Sequence, residues 1–242
     1  MKELGIDIET YSSNDLTECG VYKYVEAEDF EILLFAYSVD GGPVQVVDFA
    51  SGEELPPEIK AALTDPTVTK TAYNATFERI CLGVYLKVDG RLDPRQWRCT
   101  MVRSARMGLP LSLAQCGEVL KLEDRKMKEG KALIRYFCVP NKQTRQGVTK
   151  MIRHRPSDAP EKWETFKRYN IRDVEVEQAI LKKVRRLEVP DFDERLYEAD
   201  QHINDRGVMI DQTLVNNAAR FDETYKDELF AEAQKLTGMS NP

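Results

Sequence analysis

Between residues 3 and 11 apolar and polar side chains alternate, with Leu4, Ile6 and Ile8 on one side and Gly5, Asp7 and Glu9 on the other. A period of two predicts a strand with one apolar face. "FEILLFAYSV" and "PVQVVDF" flank "DGG" at 40–42, which predicts a hairpin. "TVTKTAYN" reads as another strand. It leads into "ATFERICLGVYL", where Phe77, Ile80, Cys81, Val84 and Tyr85 recur at helical spacing behind Asn74, the expected N-cap. A short strand at 96–99 follows, then two helices, the second opened by the capping-box pattern Ser112-x-x-Gln115. Segment 140–156 is polar and basic, and is expected to be an exposed loop. A long amphipathic helix is predicted over 160–187, with Trp163, Phe166, Val174, Ile180, Leu181, Val184 and Leu187 on its buried side. "EVPDFDE" then reads as a linker, and two further helices join at "DRGVMID". Strands in a hairpin, then strands alternating with helices, predict an α/β sandwich around a mixed sheet.

Length and composition narrow this picture. The 242 residues suit one large domain, or one domain with a fragment of another, and can bury a proper core. No run approaches the ~18 apolar residues of a membrane span, and the N-terminus lacks the basic and apolar parts of a signal peptide. A cytoplasmic protein without membrane contact is expected. Cys19, Cys81, Cys99, Cys116 and Cys138 are odd in number and show no C-x-x-C spacing, which suggests neither a disulfide framework nor a thiolate zinc site.

The net charge of −6 argues against a nucleic-acid partner, but the average conceals a reversal. From Lys121 to Arg155 eleven Lys/Arg face three acids, so this segment is +8 and the remainder −14. A basic segment beside an acidic body can hold a phosphate backbone while the acids do other work. A solvated loop and helix face accounts for the charge run equally.

Asp7 and Glu9 are two apart on a strand, so both carboxylates leave the same face about 7 Å apart at the backbone. Their repulsion, ~1 kcal/mol or more in a partly dry site, is relieved by a bound cation, and oxygen-only ligands select Mg²⁺ or Mn²⁺ over zinc. On the long helix Tyr169 and Asp173 are four apart and share a face; a phenol beside a carboxylate can orient a water while the carboxylate holds a metal. Glu78 falls in the first turn of the helix behind Asn74. Each signal alone has an ordinary account: a solvated strand face, a core-boundary tyrosine, an acid favoured at a helix N-terminus.

"DIET" on the first strand, "NATFE" entering a helix about seventy residues on, and "YNIRD" on a late helix share the order and approximate spacing of the three motifs of the DEDD nucleases. Residues 1–188 resemble the proofreading 3′–5′ exonuclease domain of family A DNA polymerases, most closely the phage type. "WRCTMVRSARMGLPLSLAQCGEVLKL" and "KMKEGKALIRYFCVP" resemble linking segments of that group, and residues 189–242 are similar to the helical start of the polymerase thumb, truncated. The resemblance implies a ribonuclease H-like mixed five-stranded sheet flanked by helices, with a C-terminal helical extension. It implies two divalent cations, Mg²⁺ or Mn²⁺, with Asp7 bridging them, Glu9 and Asp173 completing the tighter site and Glu78 serving the second ion. Tyr169, four before Asp173, indicates the tyrosine subgroup and would align the attacking water. Thr10 and Asn74 would lie close to the terminal nucleotide.

The family's second motif ends in Asp, whereas this chain has Glu78. One methylene displaces a carboxylate by ~1.5 Å, which is large against Mg²⁺–oxygen bonds of ~2.0 Å. The implied activity is removal of nucleoside monophosphates from a single-stranded DNA 3′ end or primer terminus, within a monomer whose parent chain holds the rest of the polymerase. If the parent is a phage, the location is the host cytoplasm. Tyr11, Phe77 and Tyr169 are candidates to stack on the unpaired base, Phe77 also reading as core. Lys126, Lys131 and Arg145 are candidates for backbone contacts. The motifs leave open an exoribonuclease of the same superfamily, and a non-catalytic module that keeps the fold as a scaffold.

Overall fold

A computed structural model describes residues 1–122, 129–145 and 148–239. The chain divides into two compact units, Met1–Gln201 and His202–Pro242.

In the first unit the alternation at the N-terminus forms β1 (Glu3–Tyr11). Helix α1 (Leu16–Tyr24) follows, with Asp15 accepting from the Thr17 backbone at its start. The expected hairpin is β2 (Glu31–Val39) with β3 (Gln45–Asp48). Then come α2 (Pro57–Ala62), β4 (Thr69–Ala72), α3 (Thr76–Tyr85), β5 (Trp97–Cys99), α4 (Thr100–Arg106), α5 (Leu113–Val119) and α6 (Gly130–Phe137). The five strands make one mixed sheet in the order β3-β2-β1-β4-β5, antiparallel on the β2 side of β1 and parallel on the β4 side. This is the mixed five-stranded, helix-flanked sheet of the expected fold class.

Its central strand is covered on both faces. Leu4, Ile6 and Ile8 enter a core with Phe35, Ile59, Leu63, Ile80, Leu82 and Trp97. Against the opposite face lies α7 (Pro160–Val184), whose Trp163, Phe166 and Tyr169 pack with Leu34, Leu133 and Phe137. Gly5 faces this helix, and a Cβ there would stand 3.2 Å from Nε2 at the end of the flexible Gln178 side chain. The register of β1 on β2 shifts between Glu9 and Thr10, a bulge that re-aims the strand just past its two acids.

Three local expectations are corrected. Segment 140–156 is largely a hairpin, β6 (Asn141–Arg145) with β7 (Val148–Ile152), paired from Asn141↔Ile152 to Arg145↔Val148. Its polar composition carries no one-sided apolar alternation, so the period of two that marks a strand is missing from the sequence. The expected linker gives way at Asp191 to α8 (Asp191–Arg206), whose first turn holds Asp191, Asp193 and Glu194, acids that favour a helix start. Ser112 stands at the N-cap of α5, but its side chain makes no capping bond.

Helix α8 runs across the division between the units. In the second unit α9 (Gln212–Thr237) is capped by Asp211, which accepts from the Leu214 backbone at 3.0 Å, and ends on left-handed Gly238. Among the described residues no helix is long and apolar enough to cross a membrane.

Candidate active site

The parity of β1 sends Asp7 and Glu9 toward α7, and the helical repeat brings Tyr169, Asn170, Asp173 and Glu177 to the side of α7 that the sheet buries. Asp7, Glu9 and Asp173 meet, each offering a carboxylate oxygen within 4.8 Å of the other two. Asp7 is half-buried, while Glu9 and Asp173 are only 8% and 4% exposed. At such separations each pair of charges repels by roughly 3 kcal/mol at an effective dielectric of 20. Around one Mg²⁺, with bonds of ~2.1 Å, neighbouring oxygens stand ~3 Å and opposed ones ~4.2 Å apart, so this all-oxygen set suits a hard divalent cation once the carboxylates draw in around it.

Neighbours fix these acids. Asn170, fully buried, donates through Nδ2 to Asp7 Oδ2 at 2.6 Å and to the Asp7 carbonyl at 3.2 Å. The Cys138 thiol, at the C-terminus of α6, donates to Glu9 Oε2 at 3.8 Å, within the longer reach of sulfur. Tyr169 is 1% exposed and its hydroxyl hydrogen-bonds the Asp173 carboxylate. Burial first, then the charges of Glu9, Asp173 and Asp7, push its phenol far above the usual range and keep it protonated. Sequence reasoning missed both Asn170 and Cys138. A signal for Asn170 was present, since a short amide in the interior of a long helix, next to Tyr169, is a poor helix former and needs a reason to be there.

Glu78 stands outside the three-acid group. It lies in the first turn of α3, 4% exposed, and its Oε2 has no hydrogen-bond partner among the described residues. Burial, followed by the charge of Asp7, raises its carboxyl well above the usual carboxylate range, with a smaller contribution from Glu177. Glu177 is buried one turn beyond Asp173, and its Oε1 accepts from the Thr100 hydroxyl. Burial and Glu3 push its carboxyl up to about 7 against the lowering effects of Thr100 and Arg185.

The remaining predicted residues separate. Asn74 is exposed and is not the N-cap, which is Ala75; at φ 76 it takes the left-handed conformation that asparagine tolerates. Thr10 is buried and its hydroxyl is shared with Tyr24 at 2.8 Å. Phe77 is half-buried against the core, its ring 6.0 Å from that of Tyr24. Tyr11 is buried under the Arg153 guanidinium, 3.9 Å from its ring centre, so it has no open face for a base. Lys131 is exposed on α6. Lys126 lies outside the described residues, as does the side chain of Arg145. Part of the positive charge of the basic segment is spent internally, because Arg153 and Arg155 both pair with Glu31.

No protein-family model matches the chain. A DNA polymerase of Bacillus phage SP02 is 52% identical over all 242 residues, and the chain spans 37% of that polymerase's length. Among solved structures, Brucella melitensis NrnC bound to pGG is 15% identical with a TM-score of 0.46, covering 85% of this chain and 82% of that one. Escherichia coli RNase D, an exoribonuclease involved in structured RNA processing, is 16% identical with a TM-score of 0.45, covering 86% and 46%. Likeness at that level says nothing about activity. The polymerase match meets the expectation drawn from the motifs: over its whole length the chain is a homologue of one part of a phage DNA polymerase.

Proposed function

We propose that the chain is a divalent-cation-dependent 3′–5′ exonuclease that removes nucleoside monophosphates from DNA 3′ ends, the proofreading part of a family A DNA polymerase of phage type. The observation that carries this reading is the meeting of Asp7, Glu9 and Asp173 beside a protonated, buried Tyr169. Three carboxylates held this close repel one another, and a hard divalent cation relieves that repulsion.

In this reading Asp7, oriented by Asn170, Glu9 and Asp173 would hold a divalent cation, and Glu78 would serve a second one together with Asp7. Bound cations, Mg²⁺ or Mn²⁺, would supply Lewis-acid stabilisation to the attack on the last phosphodiester and to the departing 3′ oxygen. Tyr169 orients rather than deprotonates. With its proton held by burial and by three carboxylates, its hydroxyl can donate to Asp173 and accept from a water beside the terminal phosphate. In the same reading Asn74, exposed at the head of α3, would contact the terminal nucleotide, and Lys131, exposed on α6, the strand backbone. Residues 1–188 would be the exonuclease domain and 189–242 the start of the thumb. The partner would be the remainder of the parent polymerase, in the host cytoplasm, with the chain monomeric.

The test is digestion of a 3′-mismatched primer with Mg²⁺, Mn²⁺ or chelator, sizing the products, alongside a matched RNA. Nucleoside monophosphates should appear with either ion and vanish with chelator, and Asp7→Ala should abolish them. Undiminished digestion by Asp7→Ala, or none by the natural sequence, refutes the reading; faster loss of RNA ends would move the substrate class to RNA.

A further inference from the structure

The first residue of α6 touches the ring of Tyr169. A Cβ built on Gly130 would stand 2.0 Å from Tyr169 Cε2, 2.6 Å from Cδ2 and 2.7 Å from Cζ. Nothing in the backbone demands glycine at this position, because Gly130 is helical and is not among the glycines with positive φ. Helical preference would favour alanine here over glycine. The bare Cα is therefore explained by what lies against it.

Neither side of the contact yields cheaply. The Tyr169 ring is rigid, stacks at 13° on Phe166 with centroids 6.0 Å apart, and ends in the hydroxyl that bonds Asp173. Helix α6 is pinned by Leu133 and Phe137, the latter 4.8 Å from the Trp163 ring and 5.5 Å from Phe166. Its far end carries Cys138, whose thiol rests on Glu9. One short helix thus braces the site twice, by a missing side chain at one end and a thiol at the other.

We propose that Gly130 is a positioning residue: the absence of a side chain there lets the Tyr169 ring lie where its hydroxyl meets Asp173. Its effect on turnover rests on the exonuclease reading above, whereas the steric contact does not. A methyl group at 130 must displace the ring or lift α6, and a shift of about 1 Å at an aligning group can cost ~100-fold in rate.

The experiment is a double-mutant cycle in the full chain, comparing the natural sequence, Gly130→Ala, Tyr169→Ala and the double variant. It measures melting temperature, Mn²⁺ affinity, and kcat and KM on a single-stranded DNA oligonucleotide. Gly130→Ala should lower kcat about 100-fold, leave KM and Mn²⁺ affinity within about twofold, and lower the melting temperature despite its better helix propensity. In the Tyr169→Ala background the same change should cost less than about twofold in kcat and should not lower the melting temperature. Full activity in Gly130→Ala, or equal losses in both backgrounds, overturns the proposal. If Gly130→Ala fails to fold, recovery of folding in the double variant supports it and failure of both overturns it. If the natural sequence digests nothing, the exonuclease reading fails alone and the melting temperatures still decide the contact.

Discussion

Glu177→Gln offers a direct measure of how dry the interior beside the acid cluster is. Glu177 is buried on α7 and its carboxyl is pushed up to about 7 from 4.5, by burial first and by Glu3 next. Between those two values the folded chain keeps a proton that the unfolded chain releases, so stability falls as pH rises through this window. The full penalty, reached above pH 7, is 1.36 kcal/mol for each unit of the displacement, about 3 kcal/mol. Glutamine keeps the shape and still accepts from the Thr100 hydroxyl, but has no proton to lose. The variant should therefore match the natural sequence near pH 4.5 and exceed it by about 3 kcal/mol at pH 7.5, on the order of 10 °C in melting temperature for a chain of this size. Thermal unfolding followed by circular dichroism across pH 4.5–8 reads this difference. Should the variant lose stability as pH rises, Glu177 would be an anion that Thr100 and Arg185 hold favourably, and the assignment of its burial as the dominant influence would be refuted.

Removing the amide of Asn170 should loosen Asp7. Asn170→Ala deletes a 2.6 Å bond to the carboxylate and a 3.2 Å bond to the carbonyl, and a 10- to 100-fold loss in Mn²⁺ affinity is expected, of the size found when partners of metal ligands are deleted. Calorimetric titration checks it, and unchanged affinity would show that Asp7 is fixed by other contacts. Glu78→Asp should retain or raise Mg²⁺-dependent digestion, since it restores the acid of the family motif; complete loss of activity would show that the surroundings are built around the longer side chain. A rate comparison on one labelled primer is enough to separate those outcomes.

Several features of the site follow from short-range geometry and were legible without coordinates. A strand's period of two obliges Asp7 and Glu9 to share a face, and a helix's repeat obliges Tyr169 and Asp173 to do the same, whatever the rest of the chain does. The order of "DIET", "NATFE" and "YNIRD" carried the kinship that the polymerase match bears out. Apolar periodicity placed β1, the β2–β3 hairpin and α7, because each has one strongly apolar face to bury.

What the sequence left undetermined lies in contacts between distant residues. Asn170 reaches Asp7 across 163 positions and Cys138 reaches Glu9 across 129, separations over which no local pattern constrains distance. Glu78 has the residue type and helix position of a ligand, but whether its carboxylate joins the others depends on how α3 seats against β1, and it stands apart. Gly130 reads along the chain as an indifferent helix start, and only the packing of α6 on α7 shows a ring where its side chain would be. Local covalent geometry sets the direction in which a side chain leaves the backbone; the tertiary structure decides what it meets, because that depends on the summed packing of elements far apart in sequence.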